Sequence, residues 1–184
     1  MTTDLLAEFS NLAYTVARKK GFFCDNQDDS AYIAAIHEEL SEAFSAWNKH
    51  KGWYITDPKP DGVYFELTDA VIRILSYSGY KGFTLHEKTL ETDRPYMQDD
   101  LCDMIVKCHL DIAQYYELLN KEARDDFEEQ LQLICIQGLL STVISRIEDF
   151  ITESSGDSIN LLDLINIKLA YNANRSMKHG GNEV

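Results

Sequence analysis

The stretch SAYIAAIHEELSEAFSAWNK, residues 30–49, decides how the chain is read. Ile33, Ile36, Leu40, Phe44 and Trp47 recur every three or four positions, the spacing of one face of an α-helix. The same helix carries Glu38, Glu39 and Glu42, three like charges within five positions. Such acids repel one another, and a solvated helix face usually interleaves Lys or Arg. At about 100° per residue, Glu39 and Glu42 fall beside the apolar stripe and Glu38 lies further outward. Their neighbours on that side are Ala35, Ala43 and Ala46, small residues that leave room for something to bind.

Outward from this stretch the chain continues as helix. Periodicity predicts further helices over 4–20, 63–79, 99–120, 123–153 and 159–177, the fifth breaking at Gly138 if it breaks at all. CDNQDDS, residues 24–30, supplies caps for the second helix. SGYKG, residues 78–82, supplies a glycine C-cap for the third, and Ser158 an N-cap for the last. Only 3 prolines occur in 184 residues, which favours long helices. No strand alternation or repeat is visible. The expectation is a single all-α domain over 1–184, an antiparallel bundle of about five to six helices.

Composition narrows the function. With 31 acids against 17 bases the formal charge is −14, which argues against a nucleic-acid partner. No signal peptide is visible and no apolar stretch approaches a membrane span, so no membrane partner is expected. Cys24, Cys102, Cys108 and Cys135 have no metal or redox spacing and read as reduced, mostly buried thiols of a cytoplasmic protein.

The third helix holds ELTD, residues 66–69. Glu66 and Asp69 project from one face of a helix that is otherwise apolar on many sides, so both point into protein. Arg73 lies one turn beyond Asp69 and can partner one acid, not four. If the second and third helices are antiparallel neighbours, Glu39, Glu42, Glu66 and Asp69 converge. Four carboxylates at one point suit Mg²⁺ or Mn²⁺, and a shared ion would relieve their repulsion. Acids this common in a chain produce such a pattern by accident in roughly a third of cases, so the acids alone do not define a site.

The last helix weights the choice. Its inward stripe, Leu161, Leu164 and Ile165, continues as Lys168, Asn172 and Arg175. A core-facing row that turns cationic either emerges from the core at a helix C-terminus or aims donors at an anion. Carboxylates for a metal beside a cationic row form the layout of a metal-dependent phosphoryl site.

EELSE (38–42) followed after 23 residues by ELTD resembles the EExxE…ExxD pattern of MazG-like all-α nucleoside triphosphate pyrophosphohydrolases. KLAYNANR (168–175) is similar to that family's KxxxNxxR motif, and the KHGG that follows resembles tails found there. The segment 81–157 is longer than in compact members and carries no such motif.

The resemblance implies a Mg²⁺-dependent hydrolase that cuts a nucleoside triphosphate between its α and β phosphates, as a homodimer or a pair of dimers. Carried over, Glu39, Glu42, Glu66 and Asp69 are metal ligands, Glu38 holds or activates the attacking water, and Lys168, Asn172 and Arg175 bind phosphates. Trp47, Trp53 and Tyr54 are candidates to stack on the base. His37 reads as a helix-surface residue. Two other classes stay open. A carboxylate-bridged dimetal bundle would want an ExxH motif, and no histidine here follows a glutamate at that spacing. A non-enzymatic helical adaptor would carry the same acids on its surface.

Overall fold

The computed structural model describes residues 1–23, 28–87 and 96–174. These form six α-helices, with no strand among the described residues: α1 (Thr3–Lys19), α2 (Asp29–Asn48), α3 (Val63–Lys81), α4 (Leu101–Leu119), α5 (Asp126–Ser154) and α6 (Leu161–Asn174). The molecule is all-α, as the periodicity predicts. A single 3₁₀ turn, Gln98–Asp100, leads into α4. Cys24 lies outside the described residues, as do Arg175 and the KHGG that follows it.

α3 is the centre of the bundle. Its buried residues run around the whole helix, from Val63 and Tyr64 to Tyr77 and Ser78, because α1, α2, α5 and α6 all pack on it. α4 pairs with α5 and also meets α2. The α1–α3 contact depends on Gly79. A Cβ there would stand 2.5 Å from the Ser10 carbonyl oxygen and 2.9 Å from the Tyr14 Cβ. Gly79 is therefore a helix-crossing residue, and the C-cap belongs to Gly82, at φ 70°, whose N–H donates to the Ser78 carbonyl.

The caps follow side-chain chemistry. Asp28 accepts from the Ser30 N–H at the start of α2, and Asp125 from the Glu128 N–H at the start of α5. α6 departs from expectation. Asn160, not Ser158, receives the Asp163 N–H at 2.8 Å and donates back to the Asp163 carboxylate. The Ser158 hydroxyl donates instead to the Ser155 carbonyl.

Three sequence expectations are corrected. On α2 the buried stripe continues from Leu40 through Ala43 and Ala46, while Phe44 is 42 % exposed and Trp47 half-buried. Ala43 and Ala46 lie flat in the core, where small side chains let helices approach, while Ala35 is half-buried beside a second, smaller cavity. α5 runs unbroken through Gly138, in keeping with its periodicity, but against expectation it is, by length and composition, apolar enough to cross a membrane. Much of that apolarity goes into the core instead, through Ile136, Leu140, Val143, Ile144, Ile147, Phe150 and Ile151. Of the described cysteines only Cys108 is buried, and Cys135 is exposed. The start of α5, residues 126–135, stands clear of the core, with Phe127 74 % and Ile134 65 % exposed, and Val106 and Leu110 are likewise exposed on α4.

Candidate functional site

The acids of α2 and α3 meet at a cavity of about 480 Å³. Glu39 and Glu42 come from α2, and Glu66 and Asp69 from α3. The wall is completed by Ala13 and Ala17 of α1 and by Lys168 and Asn172 of α6. Convergence is a consequence of the helix period. Residues three apart share a face, and the two faces oppose each other because α2 packs along α3.

One carboxylate oxygen each from Glu39, Glu42 and Glu66 lie within 4.8 Å of one another. The two remaining features of the acid set are ion pairs. Arg73 holds one Glu39 oxygen through Nε at 3.0 Å and a terminal guanidinium nitrogen at 2.9 Å. Lys168 is buried, and its ammonium sits on the Asp69 carboxylate. Among the described residues, neither the Glu42 nor the Glu66 carboxylate has a hydrogen bond or ion pair.

Electrostatics register the crowding. Burial, reinforced by the facing Asp69 carboxylate, pushes Glu39 up to about 7 against the pull of Arg73. Burial and Asp69 likewise push Glu66 up to about 7, against the pull of Lys168. Burial also raises Asp69, although Lys168 opposes it. Glu39 is buried, Glu66 half-buried and Glu42 exposed, and oxygens this close carry a mutual repulsion that a shared hard cation would offset.

Several expected residues are paired or placed differently. Asp69 is engaged by Lys168, so the close oxygen cluster has three members, not the four expected. Lys168 is thus committed to an acid and not simply aimed at an anion. Arg73 serves Glu39 and not Asp69. Glu38 is exposed and outside the cavity, one position and so about 100° round α2 from Glu39. Asn172 lines the cavity. The expected phosphate contact of Arg175 lies outside the described residues.

Neither tryptophan reaches the cavity. Trp47 packs beside Phe44, ring centroids 5.9 Å apart. Trp53 is carried away by the loop before α3, whose Gly52 and Trp53 carbonyls accept the Val63 and Tyr64 N–H groups at the open first turn of that helix. Its ring packs on Tyr64 at 5.3 Å and on Phe150 at 6.3 Å. Tyr54 stacks on Phe65 at 5.2 Å. The same loop delivers Lys59 and Pro60 to the cavity rim. The aromatics that do line the cavity are Phe22 and Tyr171, with the Arg73 guanidinium 4.9 Å from the Phe22 ring centre. Phe22 lies just past α1, where no helical period signals its direction. Tyr171 sits one residue from Asn172 in the motif already singled out.

His37 is not a simple surface residue. Its Nδ1 lies 2.6 Å from the Nδ1 of His109 on α4. The ring centres are 4.9 Å apart, so the rings meet edge to edge, one Nδ1–H donating to the other's lone pair. Burial holds both imidazoles below the usual histidine range. Two positions separate His37 from Glu39, which places this clasp across α2 from the acids. Known proteins add no assignment to this geometry: no protein-family model, no curated protein and no solved structure matches the chain.

Proposed function

We propose that this protein is a Mg²⁺-dependent, MazG-like nucleoside triphosphate pyrophosphohydrolase, releasing a nucleoside monophosphate and pyrophosphate. The observation that carries the reading is the meeting of Glu39, Glu42 and Glu66 within 4.8 Å, two of them without a hydrogen-bond or ion-pair partner among the described residues, in a cavity that also holds Arg73, Lys168 and Asn172.

The donor set fits the ion. Three carboxylates offer hard oxygen and no nitrogen or sulfur, which suits Mg²⁺ or Mn²⁺ over zinc. Glu39, Glu42 and Glu66 would hold it. Once bound, such an ion offsets phosphate charge and lowers the pKa of a coordinated water. The chain's own groups do the remainder. Arg73 fixes the Glu39 rotamer by its two-nitrogen contact. Lys168 neutralises Asp69 and fixes it beside the cluster. Asn172, and Lys59 at the rim, line the cavity and would meet phosphate oxygens. Because Glu38 faces solvent, the proton of the attacking water goes in this reading to a carboxylate of the cavity.

The test is pyrophosphate release from a panel of ordinary and modified nucleoside triphosphates, with Mg²⁺, Mn²⁺ or EDTA. Release that EDTA abolishes supports the reading. A silent panel, together with a melting temperature indifferent to both metals, would sink it.

The exposed apolar side chains of α4 and the first half of α5, Val106, Leu110, Phe127, Leu131 and Ile134, favour association. In the enzyme reading they serve a homodimer or a pair of dimers. They also favour the second reading, a helical adaptor that uses this face for another protein. Sedimentation of the isolated chain separates the two, since the adaptor is expected to remain monomeric.

A further inference from the structure

The main cavity is not the whole concavity. Beyond Phe22 a second chamber of about 210 Å³ opens between α1, α2 and α3, and Ala17, Phe22, Arg73 and Ser76 line both spaces. The two chambers differ in chemistry. The first gathers acids and cations. The second is walled by Phe22, Phe23 and Tyr32 and floored by alanines, with Arg73 and Ser76 at the junction. The Phe23 and Tyr32 rings are stacked on one another, 4.7 Å apart and inclined by 20°, so each covers one face of the other and the pair lines the chamber as one braced aromatic unit. Along α3 the ten residues from Glu66 to Ser76 rise about 15 Å, so the acid cluster and the aromatic chamber lie about two to three turns apart along one helix.

We infer that this second chamber is the base-binding subsite, and that Phe22, Phe23 and Tyr32, not the tryptophans, are the surfaces a nucleobase packs against. The inference rests on the hydrolase reading, which requires a flat, weakly polar ring to be held next to a polyphosphate. The junction has the matching character. Arg73 presents its guanidinium between the acid cluster and the Phe22 face, and Ser76 turns its hydroxyl proton back to the Arg73 carbonyl at 3.1 Å. The chamber therefore offers ring faces and one guanidinium edge, and selects its base chiefly by shape.

The test is calorimetric binding, in Mg²⁺, of two probes: the α,β-methylene analogues of uridine, cytidine, adenosine and guanosine triphosphates, and inorganic tripolyphosphate, which has no base. Two variants fill the chamber, Ala35→Phe from within and Ala31→Phe from the exposed rim, where folding is not at risk. The wild type is expected to hold at least one analogue about tenfold more tightly than tripolyphosphate. Both variants are expected to abolish that difference while leaving tripolyphosphate affinity within about twofold. A wild type that holds every analogue no better than tripolyphosphate would overturn the subsite. So would folded variants that keep the preference. A wild type that binds neither probe would refute the hydrolase reading itself, and the subsite with it.

Discussion

Replacing Glu66 by glutamine should strengthen the metal-free protein and weaken the metal-bound one. Glu66 faces Glu39, Glu42 and Asp69 with no cation in contact among the described residues, and burial and those neighbours raise its carboxyl to about 7 from an ordinary 4.5. The sign follows from proton counting. Between pH 4.5 and 7 the folded chain keeps a proton that the unfolded chain has lost, so stability falls as pH rises through this window and the penalty is complete above about pH 7. A full conversion would put that penalty near 3 kcal/mol. Water reaches this half-buried group, so we take roughly half, about 1–2 kcal/mol. For a chain of this size that corresponds to roughly 5 °C in Tm. Glutamine keeps the shape and cannot ionise. In EDTA, Glu66→Gln should match the wild type at pH 5 and melt roughly 5 °C higher at pH 8. With Mg²⁺ or Mn²⁺ the wild type should gain Tm and the variant much less, because one ligand oxygen has become an amide. Melts at pH 5, 6, 7 and 8, with EDTA and with each metal, read all of this at once. A variant that melts below the wild type at pH 8 in EDTA would show that the Glu66 charge is satisfied in the fold, and the argument for a shared cation would be refuted.

Other substitutions separate structure from chemistry. Asp69→Ala strands the buried Lys168 ammonium and should cost about 3 kcal/mol, most of it recovered by adding Lys168→Met; a double variant no more stable than Asp69→Ala would mean that the pair is not what holds the two residues. Glu39→Gln should abolish pyrophosphate release while the protein stays folded, and wild-type-like rates would remove Glu39 from the metal site. Gly79→Ala drives a methyl into the Ser10 carbonyl and should cost about 1–3 kcal/mol in denaturant melts; an unchanged midpoint would mean that α1 is free to move. Trp53→Ala should lower stability by about 3 kcal/mol through its lost packing on Tyr64 and Phe150 and leave KM for nucleotides unchanged, whereas a raised KM would return Trp53 to the substrate.

The helices were legible because their cause is local. Ile33, Ile36 and Leu40 repeat at the helical period, Asp28 and Asp125 cap by their own side chains, and α3 announces its burial by being apolar on many sides. The acid cluster was legible for a related reason. Spacings of three within α2 and α3 place each pair of carboxylates on one face before any partner is known, and the adjacency of consecutive helices then brings the faces together. The ends of elements were less legible. Asn160 prevails over Ser158, and Gly82 over Gly79, because capping depends on backbone angles and on which carbonyl is left open.

The helical class and the two pairs of acids that line one cavity are thus set by residue spacing alone. Pairing within that cavity belongs to the tertiary structure alone. Arg73 takes Glu39, Lys168 takes Asp69, and Glu42 and Glu66 are left facing each other. Which cation reaches which acid depends on the rotation of α2 and α6 against α3, a quantity no residue spacing encodes. The placement of the aromatics is decided in the same way. Trp53 follows a loop fixed by backbone hydrogen bonds to the first turn of α3, and Phe22 enters the cavity from the turn after α1. In both cases the chain path, set by non-local backbone contacts, decides what a side chain faces.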